Sequence, residues 1–115
     1  MIVLSSEQYA ALVRDFRDRY HREVLGIVKE AMPFATSGKQ DDDLLAQIAA
    51  AHLQANDRGI SGRADVAKYA VLHVGLGPEF DDEPRIDTYL RREDLSHTEK
   101  LNSLCDRLGA RLEAG

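Results

Sequence analysis

Residues 5–32 read SSEQYAALVRDFRDRYHREVLGIVKEAM, and their rhythm decides the fold. Apolar side chains recur at Tyr9, Leu12, Val13, Phe16, Tyr20, Val24, Ile27, Val28 and Ala31. Gaps of three and four place them on one side of an α-helix, which turns once in about 3.6 residues. A half-buried strand would instead alternate at every second position. Ser5 and Gln8 have the spacing of a capping box, and Leu4 is placed to staple onto Tyr9. The polar side offers the pairs Asp15–Arg19, Asp18–Arg22 and Arg19–Glu23 at helical spacing, each contributing a few tenths of a kcal/mol. Gly26 weakens the middle of the helix and marks a candidate close helix contact. Pro33 stops it, because a proline ring disfavours helical geometry at the residue before it. A helix over about 6–32 is longer than a compact domain of this size needs. One end is therefore expected to project or to dimerise.

The same signals continue outward. Residues 33–40 read as a loop. Asp41, Asp42 and Asp43 open a second long helix at its positive dipole end. Leu44, Leu45, Ile48, Ala49, His52 and Leu53 form its inner stripe. Gly59 is placed as a left-handed C-cap, with Ile60 as the hydrophobic contact that follows. Ser61 is the expected N-cap of a helix to about Leu76, with Val66, Tyr69, Ala70, His73, Val74 and Leu76 inward. Gly75, Gly77 and Pro78 break it. Pro84 suits the first turn of a short helix to about Arg92 that buries Ile86, Tyr89 and Leu90. Ser96 and Glu99 repeat the capping-box spacing before Leu101, Leu104, Cys105, Leu108 and Leu112. The expectation is an all-α, single compact domain of about five helices spanning 1–115, with a long N-terminal helix.

Bulk composition narrows the function classes. The 115 residues match one ordinary domain. With 43% hydrophobic and 30% charged residues the chain is neither a disordered nor a membrane type. Aromatics are only 6% and tryptophan is absent, so the core must be built from Leu, Val, Ile and Ala. The net charge of −5 argues against nucleic acid as a partner, because such affinity grows with the phosphates a basic face neutralises. Arginines on the first helix, Arg14 and Arg17 among them, are interleaved with aspartates and glutamates. A single cysteine, Cys105, allows no internal disulfide and fits a reducing compartment. The start MIVLSSE lacks the basic and apolar regions of a secretion signal. No apolar run reaches the roughly 20 residues of a membrane span. A cytoplasmic location is the expectation.

Residues with chemical potential do not fall into catalytic patterns. The four histidines, His21, His52, His73 and His97, show no HExxH or related metal-ligand spacing. His52 and His73 lie on inner stripes of consecutive helices and could meet. They read either as hydrogen-bonded buried side chains, as a pH-sensitive pair or as the base of a small metal-binding or hydrolytic site. Cys105 sits on a core stripe, where a thiol is inert unless a base adjoins it. Gly75, Gly77 and Pro78 do not form a phosphate-binding loop, and no serine occupies a nucleophile elbow. Glu79, Asp81, Asp82 and Glu83 are the densest charge cluster. They lack the calcium-loop pattern and read as helix capping or as a contact for a basic partner. Phe80 is expected to point inward and anchor this loop. No cofactor and no catalytic residue is indicated.

Three stretches carry a resemblance: GISGRADVAKY (59–69), VGLGPEFD (74–81) with Glu83 and Pro84, and Leu95-Ser96 with Glu99-Lys100-Leu101. Their order resembles a group of small bacterial proteins, accessory proteins found beside type VI secretion effectors, spike-tip proteins and their chaperones. The likeness covers roughly residues 55–105. After Pro84 the sequence departs from the group, with Arg85-Ile-Asp-Thr-Tyr89 in place of a more aromatic run. The resemblance implies no catalytic or metal-binding residue.

The leading expectation is thus a non-catalytic protein-interaction module, an adaptor or co-chaperone associated with effector loading. Its partner would be another protein: an effector, a chaperone or a toxin. The candidate contact residues are Arg14, Arg17, Gly77, Pro78, Asp81, Asp82, Glu83 and Arg85. An immunity protein whose acidic loop blocks a toxin site stands as an alternative, as does the small metal-binding or hydrolytic protein on His52 and His73.

Overall fold

The computed structural model describes residues 5–114, with side chains described through Ala110. The predicted contacts of Leu4 and Leu112 lie outside these. The helices are α1 (Ser6–Ala31), α2 (Pro33–Thr36), α3 (Asp41–Asp57), α4 (Arg63–Leu76), α5 (Pro84–Leu90) and α6 (His97–Ala114). A 3₁₀ turn at Phe80–Asp82 precedes α5, and no strand occurs among the described residues. The all-α fold class and the long N-terminal helix are as expected.

The α1 start carries the full capping box. The Gln8 N–H donates to Ser5 Oγ at 3.1 Å, and the Ser5 N–H donates to Gln8 Oε1 at 2.9 Å. At the end of α3 the Gly59 and Ile60 N–H groups donate back to the carbonyls of Asn56 and Ala55, both at 2.9 Å. Gly59 takes φ +81°, where a side chain would be strained, and Ile60 and Ala55 are both buried. Glu83 caps α5 by accepting from the N–H groups of Arg85 and Ile86. For α6, Ser96 Oγ accepts from the Glu99 N–H at 3.1 Å.

Helix α4 is the centre. It packs against α1, α3 and α6. Its buried residues, Val66, Ala67, Tyr69, Ala70, Leu72, His73 and Val74, take up roughly 220° of its circumference. A helix with so wide an apolar face is one packed by several neighbours. Leu44, Ile48, Ala51 and Ala55 of α3 and Leu101, Leu104 and Leu108 of α6 complete the core with Val24, Leu25 and Val28 of α1. Gly75 marks the tightest approach: a Cβ there would lie 2.9 Å from both Leu108 Cδ2 and Met32 Sδ.

Several local expectations are corrected. Gly62, not Ser61, is the N-cap of α4, and no side chain caps it. The chain is already extended at Gly62, so Ser61 stands one residue too early. Residues 33–36 form a single helical turn inside the predicted loop, tied by Thr36 Oγ1 donating to the Met32 carbonyl at 2.8 Å. Gly26 makes no close contact, because a Cβ there would meet nothing within 4 Å. Gly75 does not break α4, which runs on to Leu76. Ala31, Leu53 and Leu76 are exposed rather than inward. Arg19 pairs with Asp15 at 2.9 Å as expected, while Glu23 pairs with Arg63 across helices at 2.8 Å instead of with Arg19. Asp18–Arg22 is not among the ion pairs of the described residues.

Candidate functional site

The first helix has two faces, and the body of the protein uses one. Its buried residues are His21, Val24, Leu25 and Val28, all in its second half. Tyr9 is 62% exposed, Leu12 41%, Phe16 58% and Ile27 48%. At about 100° per residue, Tyr9, Leu12, Val13, Phe16, Tyr20 and Ile27 share one stripe. The buried set lies roughly 110° further round. The sequence rhythm merges these two faces, so the expectation that the whole stripe faces inward is corrected. The excess length of the helix is the signal that pointed to this. The radius of gyration of 15.6 Å exceeds the roughly 13 Å of a compact domain of this length, consistent with an extended N-terminal arm.

Where the arm joins the body, a cleft of about 620 Å³ opens between α1 and the start of α4. Val13, Phe16, Tyr20 and Val66 supply its apolar lining. Arg63 closes one side. Its guanidinium stacks 5.3 Å from the Tyr20 ring centre and holds Glu23, and its carbonyl accepts the Tyr20 hydroxyl. Burial raises the Tyr20 pKa, with Arg63 opposing.

His21 and His52 meet at the back of this region, with Nε2 of one 2.9 Å from Nδ1 of the other and the rings edge to face. One nitrogen donates and the other accepts, so the contact holds a single proton. Burial lowers both pKa values. His52 and Arg17 lower that of His21 further, and Arg17 that of His52. His52 and His73, which the sequence left open to meet, have other partners: His52 has His21. His73 Nδ1 lies 3.1 Å from Gln54 Oε1, and burial lowers its pKa against a raising influence of Asp81. Among the described residues no three histidine, cysteine, aspartate or glutamate side chains gather as a metal-ligand set.

The acidic loop is wired into the body. Asp81 is buried, not exposed as a contact residue must be. It accepts from the Tyr69 hydroxyl and from Arg58 Nε at 3.2 Å, while Arg58 Nη2 donates to the Asp81 carbonyl at 2.9 Å and to Asp87 at 3.0 Å. Tyr69 and Arg58 bring donors from α4 and α3, so the carboxylate is enclosed with its partners. Burial raises the Tyr69 pKa strongly, and Asp81 adds to it. Phe80 is buried against Tyr69 as expected, with ring centres 5.0 Å apart. Glu83 is occupied as a helix cap. Of the predicted contact residues, Pro78, Asp82, Glu83 and Arg85 are exposed here, and the Pro78 carbonyl accepts from Gln54. Gly77 ends α4 with its N–H on the His73 carbonyl. Arg14 and Arg17 are exposed on α1, far along the chain from that loop.

A larger cleft, about 750 Å³, lies between α3 and the turn from α5 into α6. Its cations are spent inside the protein: Arg58 on Asp81 and Asp87, Arg91 on Asp87, Arg92 on Asp94. Lys100, unanticipated as a buried residue, donates to the carbonyls of Leu90 at 2.6 Å and Arg92 at 2.8 Å. Half-buried Cys105 lies 3.8 Å from the Lys68 carbonyl, and burial raises its pKa, the opposite of an activated thiol. No helix among the described residues is long and apolar enough to cross a membrane.

No known protein family, curated protein or solved structure matches the chain.

Proposed function

We propose that this protein is a non-catalytic protein-interaction module that binds its partner through the exposed apolar stripe of α1. One observation carries the reading. Tyr9, Leu12, Phe16 and Ile27 repeat at helical spacing, yet each is at least 41% exposed. Scattered apolar residues on a surface are ordinary, but Tyr9, Leu12 and Phe16 exposed on successive turns of one helix face are a mark of association. The capping box begins the helix well before the body can support it.

The finer reading is an adaptor or co-chaperone that helps load type VI secretion effectors. Its support is the resemblance carried by residues 59–69, 74–81 and 95–101. Many of those residues also cap helices or pack the core, so the resemblance bears on the fold as much as on the role. The test is co-expression with the products of neighbouring genes, followed by purification through a tag on this chain. The expected result is a stoichiometric complex with one of them that Phe16→Glu dissolves while leaving the fold intact. Failure of every neighbour to co-purify defeats the effector-loading role. Retention of a partner by the Phe16→Glu protein defeats the stripe.

A further inference from the structure

We infer that the α1 stripe and its adjoining cleft receive an amphipathic helix of a different protein, one whose apolar face is edged with carboxylates. The inference rests on the interaction reading above and names the chemistry of the partner.

The stripe is built for a helix. From Tyr9 to Ile27 it runs roughly 27 Å at 1.5 Å per residue, the length of about five turns. From Tyr9 to Tyr20 its large residues stand three and four apart, the spacing that interlocks with the ridges of another helix, and Ile27 follows two turns on. The cleft beside Phe16 and Val66 provides a depression where one large side chain of the partner can anchor.

Charge selects the partner. The cleft is lined by Arg17, Arg19, Arg63 and Glu23; with Arg63 held by Glu23 and Arg19 by Asp15, the local excess is one positive charge, that of Arg17, in a chain of net charge −5. Arg17 and Arg19 fall about 80° to either side of the stripe, one on each edge. Asp18 lies on the opposite side of the helix, and Asp15 is held by Arg19. Arg17 has no ion-pair partner among the described residues, and Glu23 is neutralised by Arg63. A carboxylate-edged helix meets this rim favourably, and opposed charges speed encounter as well as fixing register. A second copy of this chain would offer Arg17 no free carboxylate from these positions, because Asp15 and Glu23 are already held by Arg19 and Arg63.

Two synthetic helical peptides of about 18 residues serve as probes. Both carry Leu and Phe on one face; one has Glu at the edge positions and the other Lys. Fluorescence anisotropy at about 50 mM salt should show the Glu peptide binding at least ~10-fold tighter. Raising the salt to about 0.5 M should shrink that preference, because exposed charges are screened. Arg17→Glu/Arg19→Glu should reverse it, and Phe16→Glu should remove binding of both peptides. Circular dichroism on each variant confirms an unchanged fold. Equal binding of the two peptides, a Lys preference, or no binding of the Glu peptide below about 1 mM overturns the inference. So does light scattering that shows a dimer whose contact excludes the peptide. The natural complex separates the two claims. A partner lost on Phe16→Glu but indifferent to Arg17→Glu/Arg19→Glu keeps the module and rejects the acidic helix. A partner indifferent to Phe16→Glu rejects the module itself.

Discussion

The Tyr69 hydroxyl donates to Asp81 inside the protein, and the same carboxylate oxygen accepts Arg58 Nε at 3.2 Å. One side chain thus ties the turn after α4 to both α4 and α3. Asp81→Ala would leave a buried hydroxyl and a mostly buried guanidinium without their acceptor. The expected loss is about 2–4 kcal/mol, since removing one partner of a buried pair strands the other. Tyr69→Phe deletes only one donor and should cost about 1 kcal/mol. Denaturant unfolding of both variants checks this order. An Asp81→Ala protein as stable as wild type would show that the network is idle.

Acid should weaken the protein through its histidines. His21, His52 and His73 all have pKa values lowered by burial from the ordinary 6.5. The folded state therefore favours the neutral rings, and the unfolded chain binds protons first as the pH falls. Their contribution is intact above about 6.5 and is lost as the pH drops through the lowered folded values. The denaturation midpoint should fall between pH 7 and pH 5, beyond what carboxylates alone produce. His52→Gln should flatten that fall by removing one titrating ring and the bond that allows only one proton. An unchanged pH slope in His52→Gln would count against the histidine pair as its source.

Exposure on α1 makes a sharp contrast with the core. Phe16→Ala should change stability by no more than about 0.5 kcal/mol, as surface substitutions do. Leu101→Ala, at a residue with no exposure, should cost about 2–5 kcal/mol through lost burial and the cavity left behind. Thermal or denaturant unfolding compares the two directly. A Phe16→Ala loss rivalling that of Leu101→Ala would mean the arm packs on the body in solution.

Gly26 offers a gain. It lies inside α1, where a Cβ would meet nothing within 4 Å. Gly26→Ala should add about 0.5–1 kcal/mol, chiefly by narrowing the unfolded ensemble. A loss on denaturant unfolding would reveal a contact on this face that the isolated chain does not make.

Helix positions were legible because their causes are local. Ser5 with Gln8, Gly59 with Ile60, and Pro84 act within a few residues of themselves. The exposed half of α1 was legible only as a length that the body could not use. Periodicity reports that a face is apolar and not what covers it, so the stripe of Phe16 and the buried face of Val24 read as one. Asp81 was read from its charge, and neither it nor Lys100 carries a local sign of burial, because a charged residue is expected outside. Their burial depends on Arg58, Tyr69 and the carbonyls of Leu90 and Arg92, which only the tertiary fold brings near. His21 escaped for the same reason: its partner is 31 residues away.

Ahead of Tyr20, which packs half-buried against the core, no described residue of α1 is buried, so roughly its first four turns draw no support from the core. An unsupported segment of that length is a marginal helix in water, held by its cap and by intrinsic propensity. Whatever grips the arm must therefore meet the entropic cost of ordering it. Changes at its outward polar positions that raise helicity would lower that cost and tighten the grip without adding a contact. The strength of association is in this way adjustable from residues the bound molecule never reaches.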